Sequence, residues 1–188
     1  MPDRSNEAGF TLIELLLVIA LLGFIVAPIS AAIVVGLRTT SATANRVSSS
    51  HDAQLVALYL PADLQSVTTA SDVDASGTNV SCSPTASQLH LQWSQQLDET
   101  GAADRYEAAY VVAQSGGEWQ LTRYYCRNSA LIARTVVAHN LIGAAATSFV
   151  VAQPAGPRVT VTLTEAQVTT DNGSPPYSYQ VSGTRRTQ

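Results

Sequence analysis

The most constraining feature of this sequence is an uncharged apolar segment near its N-terminus. Residues 15–37 read LLLVIALLGFIVAPISAAIVVGL, a run of 23 residues without a charged side chain. A helix of about 20 residues crosses the hydrocarbon core of a bilayer, whereas the apolar part of a secretory signal is about 7–15 residues long. The run therefore predicts a membrane-spanning helix. Pro28 inside it predicts a local kink rather than an end.

One carboxylate interrupts this apolar region. The apolar residues begin at Phe10, and Glu14 is the fifth residue from there. A charged side chain within a membrane helix costs about 2.5–3.5 kcal/mol on insertion scales, and such residues are usually functional. We therefore expect Glu14 to be paired or neutralised. The alternative is a residue near the interface that reaches back to water.

The run GFTLIE at residues 9–14, followed by an apolar helix, resembles the N-terminal signal of type IV prepilins and pseudopilins. The resemblance implies that a prepilin peptidase cuts after Gly9 and methylates the new N-terminus at Phe10. It also implies that Glu14 pairs with the Phe10 amine of a neighbouring subunit and fixes the axial register of a filament. Charge alone leaves the orientation in the membrane open, because Arg4 in the leader is outweighed by two acids. The resemblance implies a cytoplasmic leader.

Beyond residue 37 the sequence predicts that the helix leaves the membrane and packs on a head. Apolar residues recur every three or four positions, which is typical of one helix face: Ala53, Val56, Leu60, Leu64 and Val67. We predict one helix over residues 10–60, with a kink or a restart at Pro61. The alternative is a flexible linker over residues 38–52, followed by a short separate helix. The predicted domains are a leader (1–9), a membrane and assembly helix (10–37), its continuation (38–68) and a β-rich head (69–188).

The head has the alternating pattern of half-buried strands. Apolar and polar residues alternate near Leu91, Tyr110, Leu121 and Val161, and Gly116-Gly117 predicts a hairpin turn. A long helix followed by a meander of strands predicts an α+β fold in which the helix lies on an antiparallel sheet. The same architecture is implied by the pilin resemblance. Residues 141–149 and the hairpin after them also resemble minor pilins of the J or W type.

Two cysteines, Cys82 and Cys126, follow the apolar segment. In an exported domain an even number of cysteines favours a disulfide, whereas in a cytosolic domain they would be free thiols. We predict the disulfide, because the membrane segment favours export.

The sequence lacks the common catalytic and phosphate-binding motifs, so we expect no enzyme activity and no cofactor. Asp72, Asp74 and Ser76 are spaced like the start of a calcium loop, but the closing acid is missing, and a solvated loop explains them better. His90 is expected to point to solvent from its strand. The net charge of −4 gives no support for nucleic-acid binding.

These features together predict a structural subunit, a minor pilin or a pseudopilin, of a type IV pilus, a DNA-uptake pilus or a type II secretion-like filament. Its expected partners are a prepilin peptidase, other pilins or pseudopilins, an inner-membrane assembly platform and, before assembly, the lipid bilayer. It would cross the cell membrane once, with an extracytoplasmic head, and then join a surface filament. The alternatives are an uncleaved, membrane-anchored β-rich binding module, and a secreted enzyme cut by signal peptidase near Ala31 or Ala32.

Overall fold

The computed structural model describes residues 11–77, 80, 82–96, 103–152, 156–166 and 176–186. The chain divides into two compact units, Met1–Ala44 and Asn45–Gln188. Helix α1 (Leu12–Ser66) begins in the first unit and ends in the second. The remaining elements belong to the second unit: β1 (Val73–Asp74), β2 (Leu89–Gln96), β3 (Ala103–Ser115), β4 (Glu118–Arg127), β5 (Ala130–Leu141), α2 (Ala145–Ser148), β6 (Phe149–Ala152), β7 (Arg158–Glu165) and β8 (Tyr177–Thr184).

Helix α1 is continuous through both of its prolines. A flexible linker over residues 38–52 and a restart at Pro61 are therefore wrong, and the helix ends at Ser66 instead of near residue 60. Proline removes one backbone hydrogen bond, which disfavours a helix interior. Leu60 and Leu64 flank Pro61 and are fully buried, so packing of this helix face outweighs the local loss.

The predicted α+β fold is confirmed: the strands form an antiparallel sheet in the order β1-β2-β3-β4-β5-β7-β6, with β8 pairing on β7. The turn between β3 and β4 has positive φ angles at Gly116 (62°) and Gly117 (90°), which confirms the predicted hairpin. Asn128 (49°) and Ser129 (67°) make a similar turn between β4 and β5. Strands β5 and β7 pair at Leu141 and Glu165. Two backbone hydrogen bonds flank this pair, from the Ile142 N–H to the Thr164 carbonyl and from the Ala166 N–H to the Asn140 carbonyl.

One face of the sheet packs on the second part of α1. Of the five predicted positions, Val56, Leu60 and Leu64 of α1 are fully buried there, and so is Val67, which directly follows the helix. They share one core with alternate residues of the strands, among them Leu89, Leu91, Tyr110, Leu121, Val161 and Leu163. The period of about 3.6 in the helix and of 2 in the strands thus brings both apolar faces together.

The opposite face of β3 and β4 carries a second, smaller core. It contains Val80, Ala109, Val111, Tyr124 and Cys126. Because β3 is covered on both faces, its central residues are apolar without alternation. Cys82 and Cys126 form a disulfide with their Cα atoms 6.4 Å apart, which confirms the predicted bond and excludes free thiols at these positions.

Candidate functional site: the N-terminal segment and the polar groups of the head

Helix α1 begins with a capped first turn. The backbone N–H of Glu14 donates to the Thr11 carbonyl at 3.1 Å and lies 3.4 Å from Thr11 Oγ1. Threonine followed three residues later by glutamate is the spacing of a capping box, and an acid in the first turn complements the helix dipole. Thr11 thus lies at the cap position of the helix, a role that the sequence analysis missed although the Thr-x-x-Glu spacing was a visible signal for it.

The apolar side chains after Glu14 are exposed. Among the large ones between Leu12 and Leu37, the exposed fraction runs from 45% at Val18 to 86% at Phe24. Hydroxyls along this part of the helix donate to the carbonyl four residues earlier, as at Ser30, Thr39 and Thr40. Among the described residues, α1 is the one helix long and apolar enough to cross a membrane. This surface therefore suits lipid or the apolar helices of other subunits better than water.

Residues 4–30 match the family model of the prokaryotic N-terminal methylation motif. The N-terminal segment is therefore similar to that of type IV pilin-like prepilins. The motif implies processing by prepilin peptidase and assembly with other pilins, and together with the apolar helix it supports membrane anchoring. No curated protein and no solved structure matches the chain.

The three N-terminal residues predicted to act in processing and assembly fall within this match. Gly9 and Phe10 lie outside the described residues, and Glu14 lies in the first turn of α1. Cleavage after Gly9, methylation at Phe10 and the register role of Glu14 stay predictions. The J or W subtype likewise stays a prediction, because the match covers only the N-terminal segment.

The head encloses an ion pair between α1 and the sheet. Arg123 donates from Nε and Nη2 to the two carboxylate oxygens of Asp63, at 2.7 and 2.6 Å. Tyr110 donates its hydroxyl to Asp63 at 2.7 Å. The guanidinium lies between the rings of Tyr59 and Tyr125, 4.9 and 4.6 Å from their centroids. Burial, reinforced by the Asp63 charge, raises the pKa of Tyr110 well above its usual value.

The sequence analysis also missed this ion pair. Its geometry indicates that it stabilises the fold. Both partners are buried and the hydrogen bonds of Asp63 are all internal to the head. The available signal was an acid at position 63, inside the apolar face that includes Leu60 and Leu64. A charge at such a position is buried only when it is paired.

A second polar contact joins α1 to β5. Asp52, which is 2% exposed, accepts the backbone N–H of His139 at 2.7 Å. Its other oxygen lies 3.1 Å from Nδ1 of the same histidine. His139 thus faces a carboxylate of the helix, so its role in the structure is to hold α1 on the sheet.

The expectation that His90 points to solvent is wrong. Its Nε2 atom is buried and has no hydrogen-bond partner among the described residues, as is also true of Glu107 Oε2. Burial lowers the pKa of His90, while the charges of Glu107 and Asp74 act in the opposite direction. The short strand β1, which the sequence analysis placed in a loop, pairs with this edge of β2 and puts Asp74 opposite His90.

The residues of the candidate calcium loop make local hydrogen bonds. Asp72 accepts from the Thr69 hydroxyl, and Asp74 Oδ1 accepts from the backbone N–H and the hydroxyl of Ser76, at 2.7 and 2.5 Å. Such contacts are typical of an Asp-initiated turn. In the described part of the chain, no group of three or more His, Cys, Asp or Glu side chains is placed to hold a metal ion. The interpretation of Asp72, Asp74 and Ser76 as a solvated loop stays a prediction.

Proposed function

We propose that this prepilin is a structural subunit, a minor pilin or a pseudopilin, of a type IV pilus, a DNA-uptake pilus or a type II secretion-like filament. The observation that carries the proposal is the methylation motif at residues 4–30, continued directly by an exposed apolar helix with a single acid in its first turn. We also propose that the subunit is not an enzyme, since this motif belongs to structural subunits.

Processing takes place at the start of this helix. Prepilin peptidase removes residues 1–9, and the new N-terminus is a methylated Phe10. Before assembly the subunit crosses the cell membrane once through α1, with its disulfide-bonded head outside the cytoplasm. An inner-membrane assembly platform then moves it into the filament.

In the filament, Glu14 accepts the positive Phe10 amine of a neighbour. The pair is formed among apolar helices, where two opposite charges attract strongly and where an unpaired carboxylate is costly. This requirement allows only the axial positions in which each Glu14 meets an amine. The head does not enter this contact and faces outward.

The primary test is the N-terminal residue of the mature protein. The chain is expressed with a prepilin peptidase, purified from membranes and analysed by mass spectrometry. N-methyl-Phe10 is expected, and Gly9→Val should block cleavage because a side chain at this position obstructs the peptidase. A retained Met1 in the unmodified chain would instead support an uncleaved, membrane-anchored binding module.

The register role needs a test that separates charge from helix capping. Both Glu14→Gln and Glu14→Ala remove the charge, but glutamine also suits a capping box. If the charge acts, both variants are processed and both lose incorporation into sheared surface filaments, by about a hundredfold for an unpaired partner charge. Normal filament levels with glutamine, and low levels with alanine, would assign Glu14 to the cap alone.

A further inference from the structure

A small polar cavity lies inside the head, between α1 and the junction of β5 and β7. Its volume is about 10 Å³, which is the space of roughly one water-sized sphere. Asp52 of α1 and Glu165 at the end of β7 both line it, and each is 2% exposed. The described residues of the lining include no arginine and no histidine. The cavity therefore brings two buried acids together without a basic side chain in its lining.

Asp52 is already engaged on the side of β5. One of its oxygens accepts the backbone N–H of His139 at 2.7 Å, and the other lies 3.1 Å from Nδ1 of the same residue. The N–H contact uses Asp52 as an acceptor, and an ionised carboxylate is an acceptor only. Asp52 therefore presents a negative charge to the cavity.

Glu165 has hydroxyls and a carboxylate around it. The hydroxyls of Ser49 on α1 and Tyr179 on β8 are hydrogen-bond donors to its carboxylate. Burial raises the pKa of Glu165, and the charge of Asp52 acts in the same direction; the two hydroxyls and the charge of His139 oppose this rise but do not cancel it. Glu165 therefore holds its proton to a higher pH than an ordinary glutamic acid.

The neighbouring strand adds no positive charge. Tyr177 of β8 pairs with Glu165 across the strands, and the ring of Tyr179 lies 5.7 Å from that of Tyr177. Burial and the charge of Glu165 raise the pKa of Tyr179, so its hydroxyl is neutral. Among the described residues, the titratable groups around Glu165 are thus Asp52 on α1, His139 on β5, and Tyr177 and Tyr179 on β8.

We propose that Asp52 and Glu165 form a proton-operated latch between α1 and the β5–β7 junction, in which Glu165 binds the proton. With the proton in place, Asp52 is the one charged acid of the pair. When Glu165 releases the proton to solvent, two like charges are buried in one small cavity, which costs free energy. The latch is thus closed at lower pH and loosened at higher pH.

The junction of β5 and β7 is the place where the fold yields when the latch loosens. Glu165 belongs to the residue pair that joins the two strands, while β6 and β8 hold the rest of β7, and β4 holds β5. Two backbone hydrogen bonds flank this residue pair, from the N–H groups of Ile142 and Ala166 to the carbonyls of Thr164 and Asn140, at 3.2 and 2.6 Å. Movement of Glu165 away from α1 strains these two bonds before it disturbs the other strand pairs.

Amide hydrogen exchange of the full-length protein in detergent measures the latch. Because the pKa of Glu165 is raised in the fold, its stabilising effect is complete below the ordinary value of about 4.3 and is lost as the pH rises through the raised value. After correction for the intrinsic pH dependence of exchange, the protection of the Ile142 and Ala166 amides should fall with rising pH. The expected fall is about tenfold or more relative to the amides of β3 and β4, since tenfold corresponds to one pKa unit.

An infrared titration of the carboxyl groups locates the proton directly. The original protein should show a protonated-carboxyl band that is missing from Glu165→Gln, and this band should disappear with a midpoint above about pH 4.3. The fall in amide protection should have the same midpoint. Both curves of the original protein can be compared even if a variant is unstable. A band that disappears at or below about pH 4.3, or protection at the junction that does not change with pH, would overturn the proposal.

Three variants test the parts of the latch. Glu165→Gln keeps the shape of the side chain but cannot ionise, so protection at the junction should no longer fall with pH. Asp52→Asn removes the like charge and should move the midpoint to lower pH. Glu118→Gln removes an exposed acid at the start of β4 and should behave like the original protein. A fall that persists in Glu165→Gln, an unmoved midpoint in Asp52→Asn, or a fall that is lost in Glu118→Gln would overturn the latch. Processing at Gly9 has no part in these measurements.

Discussion

Replacing Gly183 by alanine should destabilise the head through a single added methyl group. A Cβ atom at this position would lie 2.7 Å from Leu64 Cδ1, 3.2 Å from Leu64 Cβ and 3.0 Å from the Cα atom of Pro61. The leucine methyl can rotate away, but the Pro61 contact is with the backbone of α1. Strand β8 and the helix would therefore have to move apart.

The magnitude follows from two opposing effects. Overpacking of a well-packed core costs about 1–3 kcal/mol. The φ angle of Gly183 is one that alanine can adopt, so the loss of glycine's freedom in the unfolded chain returns about 0.4–1 kcal/mol. Because the Pro61 contact is with backbone, the upper part of the overpacking range applies, about 2–3 kcal/mol. The net cost is then about 1–2.6 kcal/mol, which lowers the midpoint of thermal unfolding by about 2–10 °C for a unit of this size.

The assay is thermal or urea unfolding followed by tryptophan fluorescence, because Trp93 and Trp119 both lie in the head. Gly156→Ala is the matched control, since a Cβ there meets nothing within 4 Å and its φ angle needs no glycine. It should be neutral or slightly stabilising. A Leu64→Ala change combined with Gly183→Ala should cost less than the sum of the two single changes, by about 0.5 kcal/mol or more. A neutral Gly183→Ala variant, or strict additivity with Leu64→Ala, would refute the close packing of β8 on α1.

Three further predictions concern the polar groups and the disulfide. Arg123→Met should lower the free energy of unfolding in urea by about 3–5 kcal/mol, because it leaves Asp63 buried without its partner. Adding Asp63→Leu should recover much of that loss, and equal losses in the single and double variants would contradict this. Cys82→Ser should lower the free energy of unfolding by about 4 kcal/mol in the chain-entropy model for a separation of 44 residues, and a reductant should destabilise the original chain but not the variant. His90→Gln should reduce the fall in the free energy of unfolding below about pH 6.5. Because burial lowers the pKa of His90 in the folded protein, the unfolded chain binds a proton at this residue first as the pH falls, and this destabilises the fold. Equal pH dependence of the free energy of unfolding in the two proteins would show that His90 accepts a proton equally well in the fold.

The apolar pattern of the sequence predicted the elements of the fold well. Alternation at Leu89, Leu91 and Trp93 located β2, and spacing of three to four residues located the buried face of α1 at Val56 and Leu60. The position of the helix end was wrong because proline propensity is a local effect. Whether a helix continues through Pro61 depends on what its flanking leucines contact, and these contacts come from strands far away in the sequence.

The polar interior was the part that the sequence analysis missed. Asp63 and Arg123 are 60 residues apart, and Asp52 and His139 are 87 apart. No periodic pattern links such positions, because a pair of this kind depends on how α1 crosses the sheet. The N-terminal motif could be recognised from the sequence alone, because residues 4–30 are contiguous and their pattern does not depend on how the chain folds.

The disulfide also has a consequence for the order in which the head matures. Cys82 and Val80 hold their segment over Ala109, Val111 and Tyr124 of the sheet, and the cover is secured by a bond to Cys126. Thiols stay reduced in the cytoplasm and are oxidised outside it. If the head is exported as proposed, this apolar face of the sheet gains its covalent cover only when an oxidant outside the cytoplasm joins Cys82 to Cys126, and a cell deficient in that oxidant should accumulate less of the protein.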